Sequence, residues 1–548
     1  MKKGLRLFLF FLLIDSIVYW GLWNTFFQQD EWFLFGRIIY QLQNLPLSLF
    51  DFASTHFWPL ANIVWIIQYK IFYLNYSLYA IHSLLIHSIT VTVLYYFFKH
   101  LLKNGKVAFM LSFLFLVSFP ARQTVVWFAV SYTLPYATIL LLLALIYLIN
   151  LKNRVLNTKD IIIFLIAFFV GISFREEATL LILLIPSYIL LFWGMRGLKD
   201  NKRQLFFLIF VMAGFTALRF LMQSYFGEHI QFEKDKNWIM TVYNIATVPY
   251  KMTIQNIIEY NQIVFLAQKY ARLAYPRILN DGLTIVTLVF ENVTLLLFIP
   301  LALLSGIAFA KLDSKHRRNM IFGFLIVFFY SMLISPQTRR LISLDSRYLF
   351  IGNIGVLIIL YEIYKGFLKF NSAIFKKIVK TISVAFIIIF SAYSYLNIRE
   401  VMAQNYIPTS MQRTSIITQI TALHPNINRD TVFYIDCRRE EDCKINPLVM
   451  PFQSGVGQML MVIYGSQDER GYAPFFKGFY LWDWEAEDYL KIGEYGFGYF
   501  RHFEKLKKQV QKGNFTADTV IGLSYDRSEN KIYDVTKNTR KLLKEGVQ

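Results

Sequence analysis

Two adjacent carboxylates, Asp30 and Glu31, are candidates for acid–base chemistry because they follow the first long apolar run of the chain directly. A carboxylate at a membrane surface is costly to desolvate, so its presence there needs a reason. One reason is chemical, since a carboxylate can accept the proton of a hydroxyl that attacks an activated carbon. The other is structural, since Asp30 precedes an amphipathic stretch over 31–43 and suits a helix N-cap. From residue chemistry alone, capping is the more common role.

Three arginines, Arg339, Arg340 and Arg347, occupy a short polar segment between two apolar runs. The planar guanidinium presents a fork of donors that matches phosphate oxygens. These residues are therefore candidates for holding a lipid phosphate and for neutralising charge on a leaving group. Binding of lipid headgroups is an equally open alternative for Arg339 and Arg340. Arg347 is the stronger phosphate candidate because it belongs to a Ser346-Arg347-Tyr348 element.

Histidines and glutamates near other apolar runs add weaker candidates. His82 and His87 are five residues apart, so they do not share a helical face as an i,i+4 metal pair would. Polar packing between helices is favoured for them over contact with a substrate. Of Glu176 and Glu177, one is expected to line a cavity and the other to pair with Arg175, and the sequence leaves open which. No Gly-rich phosphate loop and no convincing metal site are present in the sequence.

The elements that must position these residues are mostly membrane spans. The chain has 548 residues, of which 56% are hydrophobic and 17% charged, and its mean hydropathy is +0.42. Soluble domains carry about 25% charged residues. This composition excludes a disordered chain, a coiled coil and a disulfide scaffold. The net charge of +20 is first explained by Lys and Arg in cytoplasmic loops rather than by binding of nucleic acid.

Charge placement sets the topology of the predicted spans. With the N-terminus inside, every predicted inside loop is short and basic, as the positive-inside rule requires. The apolar segment 57–73 would invert all later loops if it crossed, so we expect a helix at the outer interface, anchored by Trp58, Trp65 and Tyr69. The eleven predicted spans are roughly 5–25, 78–98, 107–121, 129–150, 160–174, 177–195, 204–223, 283–310, 319–334, 348–364 and 379–397.

The composition changes after about residue 397, which predicts a membrane domain over 1–397 and an outer soluble domain over 398–548. This tail is long enough for an independent α/β domain. The only two cysteines, Cys437 and Cys443, lie in it, and an oxidising compartment favours a disulfide over two free thiols. The elements expected in the tail are a helix near 411–423 and strands near 431–436, 458–465 and 519–525.

A series of short motifs follows the apolar runs in order. The motifs are Phe26-Phe27-Gln28-Gln29-Asp30-Glu31-Trp32, His56-Phe57-Trp58-Pro59-Leu60, Asn75-Tyr76, His82-Ser83-Leu84-Leu85-Ile86-His87, Phe119-Pro120, Phe174-Arg175-Glu176-Glu177-Ala178 and Ser346-Arg347-Tyr348-Leu349. Taken together, they resemble the GT-C class of membrane glycosyltransferases, the class of protein O-mannosyltransferases and lipid A aminoarabinose transferases. The resemblance covers about residues 5–397, and many members of the class also append an outer soluble domain.

This resemblance implies a function for the candidate residues. It implies an inverting hexosyl or pentosyl transferase of the plasma (inner) membrane that uses a polyprenyl-phosphate sugar, with Asp30 as general base and Glu31 as its partner. The acceptor would be a glycan, lipid or protein on the outer face. Some members use a divalent cation and others use none. The expected substrate-contacting residues are His56, His82, His87, Arg175, Glu176, Glu177, Arg339, Arg340, Arg347 and Tyr348.

Two observations qualify this interpretation. Related sequences often carry Arg or Lys before the Pro of the second motif, where this chain has Trp58, so a basic phosphate contact is absent and His56 is the candidate substitute. A transporter or flippase of lipid-linked sugars would also need outer arginines and polar groups within the membrane. Inverted repeats or paired spans broken by Gly or Pro would favour that alternative, and the sequence shows neither.

The predicted topology can be tested by labelling. Cysteines introduced by Asn104→Cys and Gln467→Cys should react from opposite sides of the membrane in intact cells, because one lies in a predicted inside loop and the other in the outer domain. A membrane-impermeant thiol reagent measures the difference. Labelling of both positions from the same side would contradict the eleven-span topology.

Overall fold

The fold was analysed in a computed structural model that describes residues 2–45, 58–226, 238–259, 263, 282–336, 341, 344–438, 452, 455–483 and 486–545. The backbone divides into two units. Unit 1 consists of Met1–Trp20, Asp51–Ala61 and His82–Arg399, and unit 2 consists of Gly21–Phe50, Asn62–Ile81 and Glu400–Gln548. The predicted division at residue 398 stays a prediction.

Helices account for nearly all regular structure before residue 430. In chain order they are α1 (Lys2–Val18), α2 (Gln29–Gln43), α3 (Pro59–Phe72), α4 (Tyr76–Leu102), α5 (Gly105–Val117), α6 (Arg122–Val126), α7 (Phe128–Ser131), α8 (Leu134–Asn150), α9 (Thr158–Ile172), α10 (Leu181–Tyr188), α11 (Gly194–Asp200), α12 (Lys202–Phe226), α13 (Trp238–Gln255), α14 (Gly282–Lys311), α15 (Ser314–Ile334), α16 (Ser346–Phe367), α17 (Ala373–Val401) and α18 (Ile407–Leu423).

Seven helical segments in the described part of the chain are long and apolar enough to cross a membrane. An eighth candidate is the pair of helical segments Gly105–Val117 and Phe119–Val126, which meet at 57°. Each of the eleven predicted spans overlaps a helix, although the first extends past the end of α1 at Val18. Helices α1 and α9, at 17 and 15 residues, are short for a span, and the count of eleven is not confirmed. The seven are Tyr76–Leu102, Phe128–Asn150, Glu176–Asp200, Lys202–Met222, Phe290–Lys311, Ser314–Ile334 and Ser346–Phe367.

The predicted interfacial segment forms α3, whose 14 residues are too few for a straight span. The prediction that Trp65 and Tyr69 anchor this helix at the membrane interface is wrong, because their exposed fractions are only 2% and 1%. Both rings pack against Phe35, and Trp65 also packs against Tyr79, all within unit 2. An aromatic cluster inside the protein therefore accounts for these residues, and no lipid contact is needed to explain them.

In unit 1, glycines allow α15 and α16 to approach closely. A Cβ at Gly323 would lie 2.9 Å from the carbonyl oxygen of Gly355, and a Cβ at Gly355 would overlap the carbonyl oxygen of Gly323. Small residues at such contacts let two apolar helices pack by van der Waals interaction. This contact fixes α15, which carries Tyr330, against α16, which carries Arg347.

Unit 2 contains a mixed five-stranded sheet in the order β2-β3-β1-β4-β5. The central strand β1 pairs in parallel with β3 and β4, and the outer strands β2 and β5 pair antiparallel with their neighbours. The predicted α/β fold of the tail is therefore confirmed, including its helix and its first and last predicted strands. The strands are β1 (Asp430–Cys437), β2 (Asp488–Ile492), β3 (Tyr495–Phe500), β4 (Val520–Asp526) and β5 (Lys531–Asp534).

The strand predicted at 458–465 is wrong, because Val456–Gly465 forms a helix, α19. Every residue of α19 is buried, so its sequence has no polar face and therefore no helical periodicity. A short apolar run of this kind cannot be told from a buried strand by its pattern. The helices that follow α19 in chain order are α20 (Glu469–Tyr472), α21 (Phe503–Gln511) and α22 (Thr536–Glu545).

Helices cover both faces of the sheet. Val432 of β1 shares a buried cluster with Leu506 of α21 and Leu543 of α22. The next residue, Phe433, stacks on Tyr464 of α19, with ring centroids 5.5 Å apart. Because successive residues of a strand point to opposite faces, α21 and α22 lie on one face and α19 on the other.

One of the two cysteines is described and is oxidised. Cys437 ends β1 and is disulfide-bonded. Cys443, the only other cysteine in the sequence, lies outside the described residues. The pairing of the two residues therefore stays a prediction.

Candidate functional site

The two predicted catalytic carboxylates lie in the first turn of α2. The side chain of Asp30 lies outside the described part of the structure, and only its backbone position is known. The capping role considered for Asp30 is wrong, because α2 begins at Gln29 and its N-cap is Gln28. Glu31 completes a capping box with Gln28, whose backbone N–H donates to Glu31 Oε2 at 2.6 Å. Glu31 therefore has a structural role at this helix terminus.

Glu31 also belongs to a charged pair within unit 2. It is only 1% exposed and interacts electrostatically with Arg413 of α18. Burial lowers the pKa of the Arg413 guanidinium, and the negative charge of Glu31 opposes that shift. Its predicted partnership with Asp30 in catalysis stays a prediction, as do the roles of His56, Arg339 and Arg340, which lie outside the described residues.

Arg347 lies in the first turn of α16 and is held between two aromatic rings. Its guanidinium carbon is 4.6 Å from the centroid of Trp127 and 4.8 Å from that of Tyr348. One terminal nitrogen lies 3.3 Å from Asp345, a residue whose side chain is 49% exposed. The Nε atom is buried and has no hydrogen-bond partner among the described residues. The group is thus rigidly mounted, with donor capacity left for an anion.

The backbone around Arg347 is fixed by a second segment, at the start of α6. The N–H of Arg347 donates to Gln123 Oε1 at 3.1 Å, and the N–H of Gln123 donates to Ser346 Oγ at 3.0 Å. The hydroxyl of Tyr330 donates to the carbonyl of Arg347 at 3.4 Å. Gln123 and Trp127 belong to none of the motifs found in the sequence. The polar residues that directly follow Phe119-Pro120 were the sequence feature that could have indicated them.

The segment Arg175-Glu176-Glu177 forms two separate ion pairs. Arg175 Nε lies 2.8 Å from Glu177 Oε1, which decides that Glu177 is the partner of Arg175. Glu176 instead accepts hydrogen bonds from Trp58 Nε1 at 3.1 Å and from Arg219 at 3.0 Å. The four charged side chains of these two pairs are each at least three-quarters buried in unit 1. Trp58 stands where sequences of the class that this chain resembles often have Arg or Lys. In this structure its indole N–H has a defined polar contact, with Glu176.

Tyr330 of α15 connects the Arg175–Glu177 pair to Arg347. Its hydroxyl donates to the carbonyl of Arg347, and α15 packs against the turn Glu176–Leu180, which contains Glu177. Residues of two motifs that are about 170 residues apart in sequence therefore meet around Tyr330, as a charged cluster in unit 1.

The two predicted histidines are in different environments. His82 Nε2 is 2.9 Å from the hydroxyl of Tyr136, whose ring stacks on Phe174 at 4.7 Å, next to Arg175 in sequence. His82 therefore adjoins the charged cluster. His87 Nδ1 instead lies 2.9 Å from Asp15, in a fully buried polar group. Polar packing between α4 and α1 accounts for His87, and its contact with substrate stays a prediction.

Among the residues that the structure describes, no three or more His, Cys, Asp or Glu side chains lie together in a group that could hold a metal ion. The cluster of unit 1 is instead rich in arginine and aromatic rings, which suits recognition of a phosphate or a sugar ring.

Comparisons with known proteins found likenesses among solved structures. No family model matches the chain, and no curated protein matches its sequence. The chain is similar to the crystal structure of ArnT from Cupriavidus metallidurans bound to undecaprenyl phosphate, with probability 1.00, a TM-score of 0.43 and 10% identity over 95% of this chain and 93% of that one.

The Glu176–Arg219 pair predicts a stability difference between two variants. Arg219→Met should lower the free energy of unfolding by roughly 3–5 kcal/mol, because it leaves a buried carboxylate without its cation. The double variant Arg219→Met/Glu176→Gln should recover part of this loss, because an uncharged amide still accepts from Trp58. Thermal unfolding in detergent measures both. Arg196→Met is the control, since Arg196 is 94% exposed and should change little. Equal losses in the single and double variants would contradict the pairing.

Proposed function

We propose that the protein is a membrane glycosyltransferase of the GT-C type that moves a sugar from a polyprenyl-phosphate donor to an acceptor. The observation that most supports this proposal is the mounting of Arg347. Its guanidinium is held by Trp127 and Tyr348, its backbone is held by Gln123, and its Nε has no partner among the described residues. An arginine with these properties is suited to bind a phosphate in a defined orientation.

In this proposal the donor phosphate leaves as the acceptor hydroxyl attacks the anomeric carbon. The bond between that carbon and the phosphate oxygen breaks, and Arg347 stabilises the charge that develops on the phosphate. Asp30 accepts the proton of the attacking hydroxyl. A single displacement of this kind inverts the anomeric configuration and needs no nucleotide. The Arg175–Glu177 pair and His82 supply polar contacts near Arg347 for the sugar.

The location of the reaction follows from the charge distribution. The short loops joining successive spans of unit 1 are basic at one end, which favours a cytoplasmic location for that end. Arg347 and Arg175 lie at the opposite ends of their helices, so the reaction is proposed for the outer face of the plasma (inner) membrane. The lipid tail of the donor would remain in the hydrocarbon while its sugar reaches water. The acceptor is a glycan, lipid or protein there.

Arg347→Lys tests the phosphate contact. Lys keeps the charge but loses the planar fork and its stacking, so the affinity for a polyprenyl-phosphate sugar should fall about tenfold, with little change in protein level. The matched control is Arg317→Lys. Arg317 also lies over an aromatic ring, Phe309 at 5.4 Å, but it donates to the carbonyls of Phe309 and Ala310 in α14, and it lies at the end of α15 away from Tyr330. Unchanged donor affinity in Arg347→Lys protein would remove this residue from the phosphate site.

Asp30→Asn tests the proposed base and the choice between enzyme and transporter. Asn is nearly isosteric but cannot accept the proton, so turnover should fall by about 10²–10⁴-fold while donor binding survives. The assay is sugar transfer from polyprenyl-phosphate donors by purified protein at matched amounts. Equal turnover in wild type and variant would refute Asp30 as the base. Movement of sugar-lipid across liposomes, with no transfer by wild type across a panel of acceptors, would support a flippase instead.

A further inference from the structure

Helix α13 carries three buried polar residues on one face. Asn244, Lys251 and Gln255 are separated by seven and four residues, a spacing that places them on one side of a helix. All three are buried, with exposed fractions of 0%, 0% and 1%. Buried amides and ammonium groups need hydrogen-bond partners, so this polar face requires a polar surface opposite it.

That surface is the backbone of the segment between α15 and α16. Asn244 Nδ2 donates to the carbonyl of Ser335 at 3.4 Å, and Asn244 Oδ1 accepts from the N–H of Leu341 at 3.0 Å. Lys251 Nζ donates to the carbonyl of Leu341 at 2.7 Å. Gln255 Oε1 accepts from the N–H of Leu344 at 2.9 Å. One helix face therefore holds three backbone positions, at Ser335, Leu341 and Leu344, in the eleven residues before α16.

Helix α13 is itself anchored to the helices around it. Lys251 Nζ forms an ion pair with Glu291 of α14 at 2.7 Å, and Tyr243 donates to the same carboxylate. Met252 packs against Gly352 of α16, where a Cβ would overlap its sulfur atom. Because α13 is fixed at these points, its polar face can transmit that rigidity to the segment that it holds.

The held segment leads directly to Arg347. Leu344 lies three residues before it, and Asp345, the ion-pair partner of Arg347, follows Leu344 in sequence. Arg339 and Arg340 stand between Ser335 and Leu341 in sequence. The start of α16 is also held by Gln123 and Tyr330. The two sets of contacts together restrain the backbone at Leu344 and at Arg347.

We infer that Asn244, Lys251 and Gln255 are positioning residues for the donor-phosphate site. They contact no substrate in this inference. They act through the backbone groups of Ser335, Leu341 and Leu344, which they hold by hydrogen bonds, and so set the orientation of the Arg347 guanidinium before the donor arrives. The inference rests on the proposed function, because it assigns Arg347 to the phosphate. Rigid mounting lowers the ordering cost of binding and so raises donor affinity without any added contact.

Gln255→Leu and its neighbour Asn256→Leu form a matched test in the full-length protein. Gln255 bonds the held segment, whereas Asn256, equally buried, donates to the carbonyl of Met252 in its own helical stretch at 2.8 Å. Amide hydrogen exchange is measured for Leu344 and Leu341, and binding of a short-chain polyprenyl phosphate is measured in detergent. Gln255→Leu should speed exchange at Leu344 at least about tenfold and weaken binding about tenfold, the scale of one lost buried hydrogen bond. Asn256→Leu should change neither.

A double-variant cycle separates positioning from general destabilisation. If Gln255 acts through Arg347, Gln255→Leu should weaken binding much less when Arg347 is already Lys. Additive losses, or unchanged exchange at Leu344 in Gln255→Leu protein, would overturn the inference. If wild type and Arg347→Lys bind the polyprenyl phosphate equally, the proposed function fails instead. The exchange result then still decides whether α13 holds the segment.

Discussion

The arrangement of unit 1 depends on the cost of placing charge among apolar helices. An ion removed from water must find a counter-ion and hydrogen bonds, or the folded state loses several kcal/mol. The pairs of Arg175 with Glu177 and of Lys251 with Glu291 meet this requirement with distances of 2.8 and 2.7 Å. The pair of Lys251 with Glu291 also joins α13 to α14, so the need to pair these charges contributes to how the two helices are arranged. Arg347 differs, because its guanidinium lies over two aromatic rings and its carboxylate partner, Asp345, is about half exposed.

Apolar length and charge bias predicted the helices of unit 1 well, because both patterns are local in sequence. The same reasoning failed for Trp65 and Tyr69, since an aromatic residue at a lipid interface and one in an aromatic core look alike in sequence. It failed again for α19, whose uniformly apolar sequence carries no period. The parallel partners of β1 were also beyond prediction, because strand order depends on contacts between distant segments.

The site was predictable in its residue types but not in its pairings. The order of the motifs predicted Arg175 and Arg347 as candidate substrate contacts. That both lie near Tyr330 depends on helix packing, which cannot be read from a short motif. Which glutamate pairs with Arg175 depends on the tight 3₁₀ turn at Glu176–Leu180, which sends adjacent side chains to different partners. Gln123 and the polar face of α13 could not be predicted for a different reason. Their partners are backbone groups, which every residue has, so the sequence gives no indication of which ones they contact.

The position of Arg347 also bears on why a rigid mounting is needed. In the proposed topology Arg347 lies on the outer side, against the general placement of positive charge inside, so the chain retains it without the support of that bias. A guanidinium on a flexible segment would lose rotamer and backbone freedom on binding each phosphate. The stacking on Trp127, the bond to Gln123 and the contacts of α13 remove that freedom when the protein folds. The entropy of ordering Arg347 is then lost when the helix bundle folds. The free energy of phosphate binding is therefore reduced less by ordering, and more of the electrostatic attraction contributes to affinity.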